Sequence, residues 1–364
     1  MDPYKVLVVD DSAFMRKIIS DLISDHPHFV VAGTAKNGAE ALEQVKSLSP
    51  DVVTMDVEMP VMNGLEALSR IMAERPTPVV MLSSRTSEGA METICALERG
   101  AVDFVQKPSG SISLDLYKVK EQLLHKLEVA VKAKVGGHRA MRKAAPNIGL
   151  SATEQPGGRK SDPHPASRRS FRHLVAIGTS TGGPRALQAV LTRLPEHFPA
   201  PLLVVQHMPP KFTKSLADRL NQFSQIQVRE ASDNEELLAG VAYIAPGGWH
   251  MTVQERDGYR IRLSDAAPRA GHRPSVDVLF ESILPLRKLK RHIVLMTGMG
   301  SDGAQGMKKL KDDGAETCIA ESEDSCIVFG MPRAAIALRC VDVVLPVEDI
   351  AAKLVQVTAE PGRA

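Results

Sequence analysis

Short apolar runs recur through the first third of the chain, and each is followed by apolar residues at helical spacing. The first run, 5–9, ends at Asp10 and Asp11, and Ser12 is placed to cap the helix that follows. The alternation then repeats, with strands at 5–9, 30–35, 51–56, 78–83 and 102–108 and helices from about 12, 37, 64, 87 and 114. Five strands alternating with five helices predict a doubly wound parallel α/β domain.

The same alternation returns in the last half of the chain. Apolar runs at 174–177, 202–206 and 293–296 are each followed by small or polar residues. The segment 241–265 predicts another strand, a Pro-Gly-Gly turn and a β-hairpin with Asp257-Gly258 at its tip. We therefore predict a second doubly wound α/β domain with a β-hairpin at the edge of its site.

Length and composition favour two domains joined by a linker. The chain has 364 residues, more than one ordinary core needs. Residues 134–170 are rich in Gly, Pro, Ser, Ala, Lys and Arg and lack apolar periodicity, which predicts a flexible basic linker. We expect a first domain at 1–133 and a second at 171–364.

Charge is unevenly distributed along the chain. Nine Lys and Arg residues against two acidic residues between 134 and 172 give +7, which leaves −5 for the remainder of a chain whose net charge is +2. A basic run can bind nucleic acid, lipid or an acidic surface, but this one lacks interleaved aromatic residues and an amphipathic period. A solvated tether is the favoured interpretation.

The cysteines and the hydropathy narrow the class of protein. Four cysteines without metal-ligand spacing predict buried thiols rather than disulfides or zinc ligands: Cys95, Cys318, Cys326 and Cys340. No apolar run approaches 18 residues, and the N-terminus lacks a charged and then apolar leader. We expect a cytoplasmic protein without membrane insertion.

In the first domain, acidic residues lie at the predicted carboxyl ends of the strands. Asp10 and Asp11 follow the first strand, Asp56 ends the third, and Ser83 and Lys107 follow the fourth and fifth. Three nearby carboxylates suit a hard cation such as Mg²⁺, and Asp56 can then accept a phosphoryl group. For any single aspartate, the alternative is a solvated acidic residue in a turn. The joint occurrence of Asp10, Asp11, Asp56, Ser83 and Lys107 at strand ends argues against that alternative.

In the second domain, three strand ends carry the residue types of a hydrolytic triad. Ser180 lies in a Gly-x-Ser-x-Gly turn between a strand and a helix, with Pro184 at the first helical position. His207 follows the next strand, and Asp302 follows a third strand and a glycine-rich turn. A base and an orienting carboxylate would activate the serine hydroxyl.

Each triad member also has a structural explanation. The serine turn can cradle phosphate or simply join a strand to a helix, a histidine after a strand is commonly structural, and Asp302 can cap its own helix. Their joint placement at three strand ends favours the hydrolytic site. The chain order Ser, His, Asp differs from the Ser, Asp, His order of α/β-hydrolases and excludes that fold.

The acidic set, with DVEMPVMNG after Asp56 and the Lys-Pro pair after the fifth strand, resembles a response-regulator receiver domain. The resemblance implies a phosphoacceptor at Asp56 and an Mg²⁺ site formed by Asp11, Asp56 and the Glu58 carbonyl, with Asp10 nearby. It also implies that Ser83 and Phe104 form the switch pair and that Lys107 contacts phosphate. Many receivers carry Tyr where this chain has Phe104, so hydrogen bonding through that side chain is lost.

The segment from 173 to about 357 closely resembles the chemotaxis protein-glutamate methylesterase (CheB) family. The matching strings are AIGTSTGGPRAL, PLLVVQHMPPKFTKSLADRLN, VAYIAPGGWHM, HRPSVDVLF, LMTGMGSDGAQGM and CIVFGMPRAA. The resemblance implies Ser180 as nucleophile, with Thr181 beside it, His207 as general base and then acid, and Asp302 as orienting carboxylate. It also implies the Met299 backbone N–H as an oxyanion donor. It implies hydrolysis of γ-glutamyl methyl esters on chemoreceptors, with deamidation of receptor glutamines as a second activity.

The domain order suggests how the enzyme is controlled. We expect the unphosphorylated receiver to cover the Ser180 edge and phosphorylation by a chemotaxis histidine kinase to weaken that packing, so deleting residues 1–170 should raise basal activity. The expected partners are methyl-accepting chemoreceptors and that kinase, and the expected state is a monomer. Two alternatives are a receiver-controlled DNA regulator, which lacks a visible DNA-reading element, and a serine hydrolase acting on another ester or amide.

Overall fold

We analysed a computed structural model that describes residues 2–84, 86–107, 113–135 and 170–359. The first domain contains one parallel sheet with strand order β2-β1-β3-β4-β5. Its strands are β1 (Tyr4–Val9), β2 (Phe29–Ala35), β3 (Val52–Asp56), β4 (Val79–Ser83) and β5 (Asp103–Gln106). The five predicted strands and their parallel arrangement are confirmed.

Five helices cover the two faces of this sheet. They are α1 (Ala13–Ser24), α2 (Gly38–Leu48), α3 (Gly64–Glu74), α4 (Ser87–Glu98) and α5 (Ser113–Ala130). The first four begin at residues whose side chains accept the N–H three positions along the chain, namely Ser12, Asn37, Asn63 and Thr86. Each cap satisfies a donor that has no partner within the helix, which explains why the predicted starts are accurate.

The second domain is built on a larger parallel sheet, with strand order β14-β13-β12-β6-β7-β9-β8. Its strands are β6 (His173–Thr179), β7 (Leu202–Gln206), β8 (Gln227–Glu230), β9 (Val241–Ile244), β12 (Lys290–Leu295), β13 (Thr317–Glu321) and β14 (Val343–Leu345). The three strands that precede the candidate triad residues, β12, β6 and β7, are neighbours at the centre of this sheet.

Helices and one hairpin surround the second sheet. The helices are α6 (Gly183–Leu191), α7 (Phe212–Phe223), α8 (Val276–Ser282), α9 (Ala304–Asp312), α10 (Met331–Ala337) and α11 (Val347–Thr358). Strands β10 (His250–Glu255) and β11 (Tyr259–Ser264) form the predicted antiparallel hairpin, with Asp257 and Gly258 at its tip. Helix α6 begins at Gly183, so Pro184 is its second residue and not its first; its missing N–H still costs nothing at that position.

The expected domain boundaries, 1–133 and 171–364, stay a prediction. The predicted linker, 134–170, lies outside the described residues except at 134, 135 and 170. All four cysteines are free; Cys318, Cys326 and Cys340 are buried as expected, whereas Cys95 is only half-buried. Among the described residues, no helix combines the length and apolar character that a membrane span needs.

The two domains are in contact in this structure. Helix α4 of the first domain packs on α6 and α7 of the second. The Arg219 guanidinium on α7 donates to both carboxylate oxygens of Glu98 at the end of α4, at 2.9 to 3.2 Å. The Phe104 ring on β5 stacks on the Phe212 ring, with centroids 4.5 Å apart. The α4–β5 side of the first domain therefore faces the start of α7.

A test of the first domain is the substitution Gly64→Ala. A Cβ at residue 64 would lie 2.0 Å from the Asp56 carbonyl oxygen, and neither backbone segment can move away cheaply. We expect the free energy of unfolding of this domain to fall by about 2 kcal/mol, as for overpacked cores, measured by urea denaturation followed by circular dichroism. Arg70→Ala, on the exposed face of the same helix, is the control, and an unchanged urea midpoint for Gly64→Ala would contradict the contact.

Candidate functional site

The sheet register brings Ser180 and His207 to the same level. Thr179, the last residue of β6, is paired with Gln206, the last residue of β7, so the next residues leave neighbouring strands together. The Gln206 side-chain amide donates to the backbone carbonyls of both Ser180 and His207, at 2.9 and 3.1 Å. The two candidate catalytic residues therefore lie side by side at the carboxyl edge of the sheet, where parallel α/β sheets bind ligands.

The glycines around Ser180 permit close approaches of neighbouring elements. A Cβ on Gly178 would lie 2.3 Å from a Val276 methyl group at the start of α8. Gly182 has φ +81°, in the region that favours glycine, and begins the turn into α6. The Ser180 N–H donates to the Thr297 carbonyl at 3.0 Å, which ties the turn to the loop after β12. Together these contacts hold the half-buried Ser180 in one backbone position.

Asp302 accepts hydrogen bonds from two separate segments of the chain, His207 after β7 and residues 275–277 at the start of α8. Its carboxylate lies 2.8 Å from His207 Nε2, and it accepts the Ser275 hydroxyl at 2.9 Å. It also accepts the N–H groups of Val276 and Asp277, at 2.7 and 3.0 Å. Burial alone would raise the pKa of Asp302, but His207 and the two N–H groups outweigh burial and lower this pKa to about 2. Asp302 is therefore an anion that holds the imidazole.

One alternative for Asp302 can now be corrected. Asp302 lies two residues before α9 and does not cap that helix, which has Gly303 at its N-cap and no side-chain cap. Its carboxylate instead binds the first N–H groups of α8, a different helix. Capping of its own helix therefore does not explain this carboxylate.

The second nitrogen of His207 is buried and free of hydrogen bonds to the described residues. Among the described residues, His207 Nδ1 is buried and has no hydrogen-bond partner, and the Ser180 hydroxyl makes no hydrogen bond to it. Because Nε2 is hydrogen-bonded to Asp302, Nδ1 is the ring nitrogen that can accept a proton from a hydroxyl group. Hydrogen bonds between nucleophile and base are commonly long in ligand-free sites and shorten when substrate binds.

A second histidine packs flat on the first. The rings of His207 and His272 are stacked, with centroids 3.8 Å apart and planes 4° apart. Burial and the neighbouring His207 lower the pKa of His272 to about 4, so this ring is neutral near pH 7. Sequence reasoning assigned no role to His272 or Ser275, although both lie in the HRPSVDVLF string that it singled out.

The loop after β12 carries the candidate oxyanion donor. Within the described part of the chain, the Met299 N–H donates to no other residue, whereas the neighbouring Gly298 N–H donates to the Val328 carbonyl at 3.0 Å. The Met299 side chain is 37% exposed. The hairpin contacts the site at its start, where His250 Nδ1 accepts the Ser275 N–H at 3.2 Å.

The acidic pocket of the first domain forms as the sequence predicts. Carboxylate oxygens of Asp10, Asp11 and Asp56 lie within 4.8 Å of one another. Lys107 Nζ lies 2.8 Å from Asp10 and 2.7 Å from Asp56. Burial raises the pKa of Asp56 to about 6, an effect that Lys107 only partly offsets. Three carboxylates against one ammonium leave an excess of negative charge and an oxygen-only donor set, which suits Mg²⁺.

The remaining predicted receiver residues, Ser83, Phe104 and Glu58, have different surroundings. The Ser83 hydroxyl is buried and accepts from Thr93 Oγ1 at 2.6 Å, on α4, so it points toward that helix. Phe104 stacks on Phe212, as described above. The side chain of Glu58, whose carbonyl is the expected metal ligand, is exposed.

The Ser180 turn is also in contact with the first domain. The Thr181 hydroxyl, next to Ser180, donates to the Asp103 carboxylate on β5 at 2.5 Å. Asp103 is buried and also accepts Lys126 Nζ of α5 at 2.5 Å. No sequence signal marked Asp103, because its partner lies 78 positions away.

The two domains thus define a response-regulator type of protein: a receiver fold with an acidic pocket, joined to an α/β domain whose sheet edge carries Ser, His and Asp. Two family descriptions match the chain, "Response regulator receiver domain" over residues 6–116 and "CheB methylesterase" over residues 175–354. Receiver domains are generally phosphorylated in an Mg²⁺-dependent reaction.

Relatives match over the whole length. The chain is 55% identical to a protein-glutamate methylesterase/protein-glutamine glutaminase of Geobacillus kaustophilus, covering 99% of this chain and 100% of that protein, and 49% identical to one of Bacillus subtilis, covering 96% and 97%. The CheB methylesterase catalytic domain of Thermotoga maritima superposes with a TM-score of 0.50 at 43% identity, covering 52% of this chain and 99% of that one. The chain belongs to the protein-glutamate methylesterase/protein-glutamine glutaminase (CheB) family.

A pH test follows from the environment of Asp302. Its folded-state pKa of about 2 lies below the ordinary value, so its stabilising contribution is full above about pH 4 and is lost as pH falls through about 2. We expect Asp302→Asn to lower the free energy of unfolding of the second domain by about 2 kcal/mol at pH 7, with a smaller difference from wild type below pH 4. Urea unfolding at several pH values measures this, and a difference that stays constant from pH 7 to pH 3 would contradict it.

Proposed function

We propose that this chain is a phosphorylation-activated enzyme that hydrolyses γ-glutamyl methyl esters on methyl-accepting chemoreceptors to glutamate and methanol. The observation that carries the proposal is the His207–Asp302 pair at the strand end beside Ser180, in a chain whose relatives are named for this reaction. Deamidation of particular receptor glutamines is the second activity. Both serve adaptation in chemotaxis.

The contacts at the sheet edge support the following mechanism. Ser180 Oγ attacks the ester carbonyl carbon while its proton moves to His207 Nδ1. Asp302 stabilises the resulting imidazolium through Nε2 and keeps the ring oriented. The carbonyl oxygen gains negative charge in this step, and the Met299 N–H is the donor proposed to stabilise it.

The tetrahedral intermediate then collapses. The bond between the carbonyl carbon and the methoxy oxygen breaks, and His207 returns its proton to that oxygen. Methanol departs, and the glutamyl group remains bound to Ser180 as an ester. Water, deprotonated by His207, then attacks the acyl carbon. The bond from this carbon to Ser180 Oγ breaks, His207 returns its proton to Ser180 Oγ, and the receptor glutamate is released. With a glutamine side chain the same steps release ammonia, and the acyl intermediate is identical.

In the receiver we propose that Asp56 is the phosphoacceptor and that Lys107 contacts the phosphoryl group. Asp11, Asp56 and the Glu58 carbonyl, with Asp10 nearby, would hold the Mg²⁺ ion, which offsets negative charge on the phosphoryl oxygens. The proposed donor is a chemotaxis histidine kinase. The proposed setting is the cytoplasm, with the chain acting as a monomer and without binding nucleic acid.

The domain contact supports control by occlusion. Asp103 binds the residue next to Ser180, and Phe104 and Glu98 each contact α7. Ser83 connects the edge of the acidic pocket to α4, which carries Glu98. We propose that phosphorylation of Asp56 shifts the switch pair Ser83 and Phe104; of the two, Phe104 contacts the second domain directly, through its stack on Phe212.

Methanol release from methylated chemoreceptor membranes tests the proposed reaction. We expect release by wild type to rise when a small phosphodonor and Mg²⁺ are added, and to vanish in Ser180→Ala because the nucleophile is lost. Asp56→Asn should keep the basal rate and lose the increase. Release that persists in Ser180→Ala would overturn the nucleophile assignment, and hydrolysis of other esters without release from receptors would indicate a different substrate.

The pair Arg219 and Glu98 tests the occlusion. We expect Glu98→Gln to raise basal, unphosphorylated methanol release about fivefold, because a partly buried bidentate pair contributes near 1 kcal/mol to the closed state. The exchange of charges in Glu98→Arg with Arg219→Glu should return the rate toward wild type. Asp21→Asn removes an exposed pair on α1 and is the control. Equal basal rates in Glu98→Gln and wild type would exclude a role for this contact.

A further inference from the structure

Glu321 is a buried carboxyl group that the proposed reaction does not use. It is the last residue of β13, two strands from β6 in the sheet, and is 1% exposed. Its Oε2 accepts the Thr297 N–H at 2.8 Å, and its Oε1 accepts the Ser325 hydroxyl at 2.9 Å. A buried acid with both oxygens bound has a defined partner on each side, so its position is fixed.

Thr297 connects this carboxyl group to the hydrolytic site. The Thr297 carbonyl accepts the Ser180 N–H at 3.0 Å and the Thr179 hydroxyl at 2.9 Å. The Thr297 hydroxyl donates to the Thr181 carbonyl at 2.9 Å. Thr297 thus contacts the three residues centred on the nucleophile, and it lies two positions before Met299 in the same loop.

We propose that Glu321 is a positioning residue of the hydrolytic site. Its carboxyl group fixes Thr297, and through Thr297 the Ser180 turn and the loop that carries Met299. The protonation state of Glu321 determines whether a negative charge lies next to the loop that carries Thr297 and Met299. An anion there opposes the negative charge that develops on the substrate carbonyl oxygen, whereas the neutral acid keeps the same contacts without that repulsion.

The surroundings of Glu321 support a proton that is gained and lost near neutrality. Burial raises its pKa to about 7, with partial compensation by the Thr297 N–H and by Ser325 and Cys326. Glu348 at the start of α11 is a further negative group that faces it, and Glu323 and Cys326 lie in the turn after β13. Arg185 on α6 borders the same small internal gap as Glu321, Thr297 and Ser325.

Both protonation states are compatible with the contacts in the structure. The anion accepts from Thr297 and Ser325. The neutral acid can keep the Thr297 N–H on one oxygen and donate its own proton to the Ser325 hydroxyl oxygen. Glutamine has nearly the same shape and offers one acceptor oxygen for the Thr297 N–H and a donor NH₂ group for the Ser325 oxygen, so Glu321→Gln keeps both contacts and removes the titration.

The test compares Glu321→Gln, Glu321→Leu and the exposed control Asp324→Asn in the full chain. Methanol release from receptor membranes and hydrolysis of a small activated ester are both measured from pH 6 to pH 9. We expect Glu321→Gln to match wild type at pH 6 and to exceed its kcat about threefold at pH 8.5, because only wild type acquires the charge. Glu321→Leu should lower kcat about tenfold at every pH with KM nearly unchanged, since the Thr297 N–H loses its partner.

Stability gives an independent readout. The folded-state pKa of Glu321 is above its unfolded value, so wild type should lose stability as pH rises from about 4.5 to 7, and Glu321→Gln should not show that loss. Identical pH profiles of kcat for wild type and Glu321→Gln would overturn the proposal, as would full activity in Glu321→Leu. The inference rests on the proposed site but is separable from the proposed substrate: hydrolysis of the small ester without methanol release contradicts the substrate, while the ratios between variants still test Glu321.

Discussion

A buried carboxylate is tolerated only when donors compensate its charge, and Asp302 imposes that requirement on the second domain. Its donors come from the start of α8 and from the residue after β7, while Asp302 itself follows β12. These three elements cannot separate without leaving the anion unpaired. The close approach of Val276 to Gly178 follows from the same requirement, because α8 must reach the sheet edge to present its N–H groups. The imidazole is therefore positioned by the packing of a helix as well as by a single side-chain partner.

The contact between the two domains uses the same edge. Thr181 separates Ser180 from Gly182, and its hydroxyl is bound by Asp103 of the receiver, whose other oxygen is held by Lys126. The receiver residue next to Asp103 is Phe104, so the hydrogen bond to the nucleophile turn and the aromatic stack on α7 come from consecutive positions of β5. The connection between the acidic pocket and the hydrolytic site is thus short, running through one strand and one helix of the receiver, and needs no relay through the core of either domain.

The elements around both sites were predictable from local patterns. Apolar runs ending in Asp, Ser or His marked the strand ends, and capping residues such as Ser12 and Asn63 marked the helix starts. The placement of Ser180, His207 and Asp302, and of the acidic pocket, therefore followed from the rule that parallel strands place their carboxyl ends at one edge. The partners that come from distant segments did not follow. Asp302 binds Ser275 and the start of α8, His272 stacks on His207, and Glu321 reaches Thr297 across the sheet. These pairs depend on the strand order and on where the helices pack, and neither can be predicted from a short stretch of sequence.

The stacking of Phe104 on Phe212 makes the second domain, in effect, a ligand of the unphosphorylated receiver. Binding equilibria that share a state are reciprocal. If phosphorylation of Asp56 weakens the contact by a given free energy, then separation of the domains favours the phosphorylated receiver by the same amount. If a receptor helix enters the Ser180 edge as proposed, it would compete with Asp103 and Phe104 for that surface. Substrate engagement would therefore stabilise the phosphorylated form, and the enzyme would hold its activating phosphate more readily where methylated receptors are concentrated.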